Sequence, residues 1–483
     1  MNKKLWLTTL CASLLLAGCA SDHGLAPQAR PLAAETLKLG AASASASAAV
    51  AEQAAWPEAA WWGRFQDAQL SDLIQRALSA SPTMIQAQAR LERAGAFLAG
   101  QSAAEGPQLD LNGVASRHRF SAHGAFPAPL AGSSYNSVEL GLDFHYEFDF
   151  WGRNRERTLS ELNRRDAARL EAQAVGLALA SSISQSYVEL ARLEQQKALA
   201  EQRVQLRERE VALRESRLKA GLDSDVELKQ SGASVSMARA DVETLGNQAV
   251  LLRHRLAVLA GMDPAAGEAL ARPTLKMGGE LRLPARLESD LLARRPEVAA
   301  QKLRLEAASH DIQAAKADFY PNIDLMAGVG GDALNASDLF KGGSQIFNLG
   351  PAIHLPLFDA GRLRAGLALR NADYDAEVAL YNQLVLDALR DVADQVGNWR
   401  SLANRQGQHE AALRQLESAD QAAQSRYRKG LSSYLAVIGA EDRLLAQKAA
   451  DIDLQALRLQ TAIRLNHALG GGLDLSLAQS KQA

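Results

Sequence analysis

The chain has 483 residues, 47% of them hydrophobic, with a formal net charge of −2 at pH 7 and only two cysteines, Cys11 and Cys19. A near-neutral balance carries no basic footprint for nucleic acid, so no nucleic-acid partner is expected. After the first apolar run, no stretch approaches the roughly 20 uninterrupted apolar residues of a spanning helix, so a membrane crossing by the mature chain would have to use strands.

The first element is a leader. Lys3 and Lys4 precede the apolar run from Leu5 to Leu16, too short to span a bilayer as a mature helix, and small residues Ala17 and Gly18 follow. A plain secretory signal would satisfy that pattern without Cys19. The tetrad Leu16-Ala17-Gly18-Cys19, however, resembles the bacterial lipobox. In that reading residues 1–18 are removed, and the Cys19 thiol carries a diacylglycerol as the first mature residue. What is known of such lipoproteins adds that Ala20 is not the aspartate associated with inner-membrane retention, which favours the outer membrane. With Cys11 inside the leader, the mature chain has no disulfide and no cysteine-based metal site. Residues 19–60 include "GAASASASAAVAEQAA" and read as an extended periplasmic tether, with helix as the competing reading because alanine is a good helix former.

From Trp61 onward the chain is written twice: 61–270 as a first unit, 271–475 as a second, and 476–483 as a tail. Pro82 recurs as Pro296, Arg90-Leu91-Glu92 as Arg304-Leu305-Glu306, Pro107 as Pro321, and Asp110-Leu111 as Asp324-Leu325. Further on, Gly152-Arg153 meets Gly361-Arg362, Arg217 meets Arg426, and Gly221-Leu222 meets Gly430-Leu431. Each unit predicts a short helix (66–80, 285–294), a proline-opened helix, two extended segments, one long helix (153–219, 362–428), a glycine turn, and a last helix (223–260, 432–470). Neither long-helix segment contains proline, and each would be about 100 Å long. In the first, Leu199, Leu206 and Leu213 repeat every seven residues, as do Val204, Val211 and Leu218. The two series lie about 140° apart, giving two seams for two neighbours. Taken alone, this segment would suit a periplasmic coiled-coil scaffold, a lipoprotein that is not a channel.

The extended segments argue against the scaffold. In "VELGLDFHYEFDF" the residues Val138, Leu140, Leu142, Phe144, Tyr146, Phe148 and Phe150 alternate with Glu139, Gly141, Asp143, His145, Glu147 and Asp149. A strand collects each set on one face. Strands are expected at 108–119, 137–150, 322–330 and 346–358, with loops 120–134 and 332–345 facing outward. Segments of this length, apolar on one side and polar on the other, fit a transmembrane barrel. Four strands cannot close one, and open edges are not tolerated in lipid, so the chain must oligomerise. Two copies give eight strands and a filled interior; three give twelve and room for a lumen.

The motifs "LLAGC", "WWGRFQDAQLSDLIQRAL", "ARRPEVAAQKLRLEAA", "ADFYPNIDLMAG", "LPLFDAGRLRA" and "RYRKGLSSYLAVI" span nearly the whole mature chain. Together they resemble the TolC-like outer-membrane efflux proteins, specifically the lipoprotein branch of tripartite drug-efflux systems. The resemblance implies a mixed fold: a homotrimer whose twelve-stranded β-barrel, four strands per chain, continues into a long α-helical barrel. It implies a passive duct for multidrug efflux, with a periplasmic adaptor and an inner-membrane RND-type transporter as partners. One departure is local: relatives often have an acidic residue six before the hairpin glycine, where this chain has Gln424.

No enzyme motif is present: there is no HExxH, CxxC or Walker loop, and "GVGGDALNASDLFKGGS" lacks the GK[ST] ending. The histidines are scattered, with His118, His145 and His354 at polar-face strand positions, so no metal or cofactor is expected beyond the lipid on Cys19. The functional candidates are the two hairpin tips, "RLKAGLDSD" and "RYRKGLSSYL". Gly221 and Gly430 suit left-handed cap positions, and Leu222, Leu431 and Ser432 beside them are the expected adaptor contacts. Near them, Glu215, Arg217, Asp420, Arg426 and Tyr427 are candidates for a periplasmic gate. In that reading Arg217, Arg426 and Tyr427 restrain the carboxylates Glu215 and Asp420, and adaptor binding releases them.

Overall fold

The computed structural model describes residues 24–32, 58–275 and 294–472. The leader, Cys19, most of the Ala/Ser-rich tract, nearly all of the helix expected near 285–294 and the tail lie outside the described residues. Among the described residues, seven α-helices and four strands follow in chain order: α1 (Ala68–Ala80), α2 (Pro82–Ala104), β1 (Gln108–Arg119), β2 (Ser134–Phe148), α3 (Arg153–Lys219), α4 (Asp225–Leu259), α5 (Pro296–Ala317), β3 (Asn322–Ala333), β4 (Gln345–His354), α6 (Arg362–Arg428) and α7 (Tyr434–Ala468). The helix pair α3 and α4 has 67 and 35 residues, and so has the pair α6 and α7. None of the described helices is long and apolar enough to cross a membrane.

The described chain forms two compact units. The first holds residues 24–31, 91–168 and 301–381, and with them the sheet. Its strands are all antiparallel in the order β1-β2-β3-β4. The register carries the sequence alternation across the whole sheet. Leu111, Leu142, Val329 and Phe347 stand in one row, and Leu109, Phe144, Ala327 and Leu349 in the next. These side chains share one face, and many are open: Leu111 is 67% exposed, Phe347 87% and Leu349 75%. At the helix-side end the aromatics cluster. Phe148 stacks on Phe150, and Trp151 stacks on Tyr320 at 4.7 Å while donating its indole N–H to the Pro321 carbonyl.

Five strand boundaries differ from the sequence expectation: β2 begins at Ser134 rather than at 137 and β4 at Gln345 rather than at 346, and three strand ends differ for a local reason. β2 ends at Phe148 rather than at Phe150, because the Asp149 carboxylate turns to accept the Arg155 amide at the start of α3. β4 ends at His354 rather than near 358: Pro356 has no N–H for a ladder, and Asp359 accepts the Gly361 and Leu363 amides to open α6. β3 runs on to Ala333 through a glycine pair that reads as loop. Those glycines are there for clearance, since a Cβ on Gly330 would sit 2.5 Å from the Leu140 carbonyl oxygen of the next strand.

The N-terminal piece is also more structured than a bare tether. Residues 24–32 are laid along α6, with the Gln28 and Ala29 amides at 2.9 and 2.8 Å from Asp375 Oδ1 and the Leu32 amide at 2.7 Å from Asn382 Oδ1. Leu25 packs with Ile312, Phe319, Leu363 and Leu367. Two backbone donors on one carboxylate, together with an apolar anchor, hold down a stretch whose composition offers nothing else to bury.

The second unit holds the described residues 32, 58–90, 169–275, 294–300 and 382–472, and with them the main core. Trp61 and Phe65, on a short 3-10 turn, join Leu70, Leu73, Ile74 and Ala77 of α1. That amphipathic spacing buries one stripe of α1 against Ile183, Tyr187 and Leu190 of α3, Leu256 of α4 and Ile463 of α7. Of the two heptad seams, the one through Leu199, Leu206 and Leu213 packs on Ile438 and Leu445 of α7, with Leu206 fully buried. Val204, Val211 and Leu218 on the other seam are half-buried.

Asp67 ties this core together. It caps α1 through the Leu70 amide (3.0 Å), accepts the Tyr187 hydroxyl (3.0 Å), and accepts the Thr274 amide (2.9 Å). Burial opposes its ionisation, but the Leu70 and Thr274 amides and the Tyr187 hydroxyl outweigh that and hold its carboxyl below the ordinary 3.8. A depressed folded pKa means that the stabilisation is complete above the unfolded value and is lost as pH falls through the folded one. Asp67→Ala should cost about 1–2 kcal/mol. Asp67→Asn should remove this residue's share of the acid limb of a stability profile, followed by circular dichroism in detergent. Unchanged urea midpoints for both variants would refute the assignment.

Candidate functional site: the two hairpin tips and the polar face of the sheet

Both tips are built the same way. Gly221 and Gly430 are left-handed, at φ +67 and +71, which a side chain rarely adopts. Each closes its helix with a pair of bonds. Gly221 N–H donates to Leu218 and Leu222 N–H to Arg217, at 2.9 and 2.8 Å; Gly430 N–H donates to Tyr427 and Leu431 N–H to Arg426, at 2.8 and 2.9 Å. This double closure lets the chain reverse in a few residues. It also leaves Leu222 and Leu431 each 65% exposed.

The charges at the tips differ. Arg217 donates to Asp223 at 3.0 Å from Nε, and Arg214 reaches the same carboxylate at 3.2 Å. The Arg217 guanidinium, then that of Arg214, holds the Asp223 carboxyl below its ordinary range. Asp223 was not among the sequence candidates, although its position two residues past a hairpin glycine and six past an arginine is the available signal. The equivalent residue of the second tip is Ser432, whose Oγ is buried without a hydrogen-bond partner. Arg426 makes no ion pair among the described residues.

The expected restraint of Glu215 and Asp420 by Arg217 and Arg426 is not formed within the chain. Glu215 is exposed and unpaired among the described residues; two positions before Arg217, it points to the other side of α3. Asp420 is buried, accepts Gln424 Nε2 at 2.9 Å on Oδ2, and leaves Oδ1 without a partner. Burial, then the nearby Glu441 carboxylate, pushes its pKa up. Glu441 is in turn held by Arg209 at 2.7 Å. Tyr427 packs on Tyr434 with ring centroids 5.0 Å apart. Gln424 is thus a direct partner of a candidate gate residue.

In the sheet, the face opposite the apolar rows is acidic. Asp110 pairs across with Asp143, Glu139 with Asp332 and Glu147 with Asp324, and no lysine or arginine stands on that face within the four strands. Asn112 donates to Asp143 at 2.7 Å, and His145 lies 3.7 Å from Asp324. His118 bonds Ser116, and His354 lies across from Asn322. Like charges directly across a ladder repel, so such a face suits water and not a packed core.

The chain matches the family model described as "Outer membrane efflux protein" over residues 73–262 and again over 287–471. It is 31% identical over 487 residues to the multidrug resistance outer membrane protein MdtP of Escherichia coli K12, covering 98% of each chain. It is 35% identical over 371 residues to the fusaric acid resistance protein FusA of Burkholderia cepacia, covering 76% of this chain and 69% of the relative. Among solved structures it is similar to the outer membrane protein VceC of Vibrio cholerae, with a TM-score of 0.80 and 34% identity over 87% of this chain and 100% of that one.

The tip geometry makes a reciprocal prediction. Asp223→Asn should speed amide exchange across 217–224, and Ser432→Asp should slow it across 426–433 by giving Arg426 the partner that Arg217 has. The first clamp should loosen in the wild type only as pH falls through the depressed Asp223 value. Identical exchange in all three proteins would mean that the ion pair does nothing for the turn.

Proposed function

The chain belongs to the outer membrane efflux protein family, and we propose that it is the outer-membrane duct of a tripartite efflux pump: a homotrimer, lipid-anchored through Cys19, that takes drugs or other small molecules from an RND-type transporter by way of a periplasmic adaptor. The observation that carries this is the register of the sheet. It yields one exposed apolar face, one acidic face and two open edges, β1 and β4. Hydrocarbon accepts the first, water the second, and only another copy satisfies the edges. Along β2 the apolar run from Phe148 to Val138 would stand roughly 25 Å tall at a usual barrel tilt. Three copies would then give a twelve-stranded wall with an open acidic lumen, whereas two would give a filled one. Such a duct has no chemical step and needs no catalytic residue.

The anchor fits the same frame. Four residues separate Cys19 from Gly24, five steps along the chain, so the cysteine lies within about 18 Å of the point where the strap along α6 begins. Leu25 packs at the start of α6, close in sequence to the end of β4, so the lipid would enter the membrane beside the strands. Labelled palmitate should enter the wild type and not Cys19→Ser, while strand content by circular dichroism stays the same. Equal labelling would remove the lipid anchor from the proposal.

At the C-terminal ends of α3 and α6, the exposed leucines Leu222 and Leu431 are the adaptor contacts in this reading, with Gly221, Gly430 and Ser432 shaping the turns. Glu215, Arg217, Asp420, Arg426 and Tyr427 remain the gate candidates, with Arg426 and Glu215 left to reach a neighbouring copy. Purified protein should form ion-conducting trimers in planar bilayers. Arg426→Glu should raise resting conductance and sensitise cells to large antibiotics such as vancomycin. Complete absence of conductance, even with the tips loosened, would favour a coiled-coil scaffold, and a conductance unaffected by Arg426→Glu would move the gate elsewhere.

A further inference from the structure

The apolar face of the sheet does not run to the loop end. Along β1 it reads Leu109, Leu111, Gly113, Ala115, and then Arg117 and Arg119 on the same side. Along β2 the same face passes from Val138 to Asn136 and Ser134, which pair across with Arg117 and Arg119. The change from hydrocarbon to guanidinium is therefore made on both strands at one level, at the end away from the helices.

Both arginines are exposed, and neither has an ion pair among the described residues. Among the described residues, nothing anionic is at hand to neutralise them. The strand carboxylates Asp110, Glu139, Asp143, Glu147, Asp324 and Asp332 all stand on the opposite face. The neighbouring loop, residues 120–133, contains no acidic residue. The acid of the other loop, Asp338, is held by Lys341 at 2.5 Å. Two residues apart on a strand, the arginines stand about 7 Å from each other, so both guanidinium forks can engage a single headgroup.

We propose that this rim is a docking surface for the phosphate groups of an outer-leaflet lipid, held by Arg117 and Arg119, with Asn136 and Ser134 supplying further hydrogen bonds. The inference rests on the membrane-spanning reading above. The apolar rows below the arginines place them where hydrocarbon gives way to headgroups, and the chemistry required there is a planar fork meeting an anionic oxygen cluster. A lipid phosphate meets that requirement and keeps the rim from facing bare water or hydrocarbon. Because each of three copies would supply one such pair, three headgroups would ring the barrel.

The test uses full-length protein in phosphatidylcholine nanodiscs doped with fluorescent diphosphoryl lipid A, read as an apparent affinity. Competition with unlabelled monophosphoryl lipid A, phosphatidylglycerol and inorganic phosphate distinguishes the sources. The expected result is saturable binding that weakens by about tenfold or more in Arg117→Gln/Arg119→Gln, and much less in Arg117→Lys/Arg119→Lys. Both variants should insert and conduct as the wild type does. Binding unchanged in the glutamine variant would overturn the proposal, as would equal competition by phosphatidylglycerol or by inorganic phosphate. A protein that fails to insert or conduct at all would instead overturn the duct reading, so the two failures are distinguishable.

Discussion

Leu142 faces Leu111 on one side and Val329 on the other, and that pairing constrains the rest of the molecule. Side chains alternate along a strand, so a slip of one residue would carry Leu142 to the acidic face and Asp143 to the apolar one. The same slip would remove Gly330 from its close approach to the Leu140 carbonyl, where no side chain fits. Apolar packing and steric exclusion thus select one register, although β3 lies far from β2 in sequence. From that register follow the two unlike faces, the unpaired edges and the level at which hydrocarbon character ends.

The helices solve a different problem. Helices of 67 residues are far longer than ordinary globular ones, and α3 carries two apolar seams. One seam of α3 is satisfied within the chain by α7, and the second is only half covered. At the strand end, Asp149 and Asp359 open α3 and α6; at the far end, two left-handed glycines close them. The ends are repeated more closely than the charges. The first tip has Asp223 to hold Arg217, and the second has Ser432 in its place, leaving Arg426 without an ion pair and one buried hydroxyl without a hydrogen-bond partner among the described residues. An unpaired group is costly to bury, so the two tips are not interchangeable.

Much of this was legible in the amino acids because it depends on local periodicity. Alternation over 138–150 marks a strand with a polar and an apolar face, the absence of proline from 153–219 and 362–428 marks the long helices, and the glycines mark the turns. Those signals depend on nearest neighbours along the chain, and the sequence by itself therefore determined the order of elements, the two-faced strands, the expectation that a single chain leaves open edges, and the resemblance to outer-membrane efflux proteins. Partners distant in sequence belong to the tertiary structure. Only folding decided that Asp67 gathers Leu70, Tyr187 and Thr274, that residues 28 and 29 are held by Asp375, and that Asp420 bonds Gln424 and not an arginine. It also decided that Arg217 closes on Asp223, because the left-handed turn at Gly221 folds that carboxylate back onto the last turn of α3, while Glu215 points to the other side of the helix.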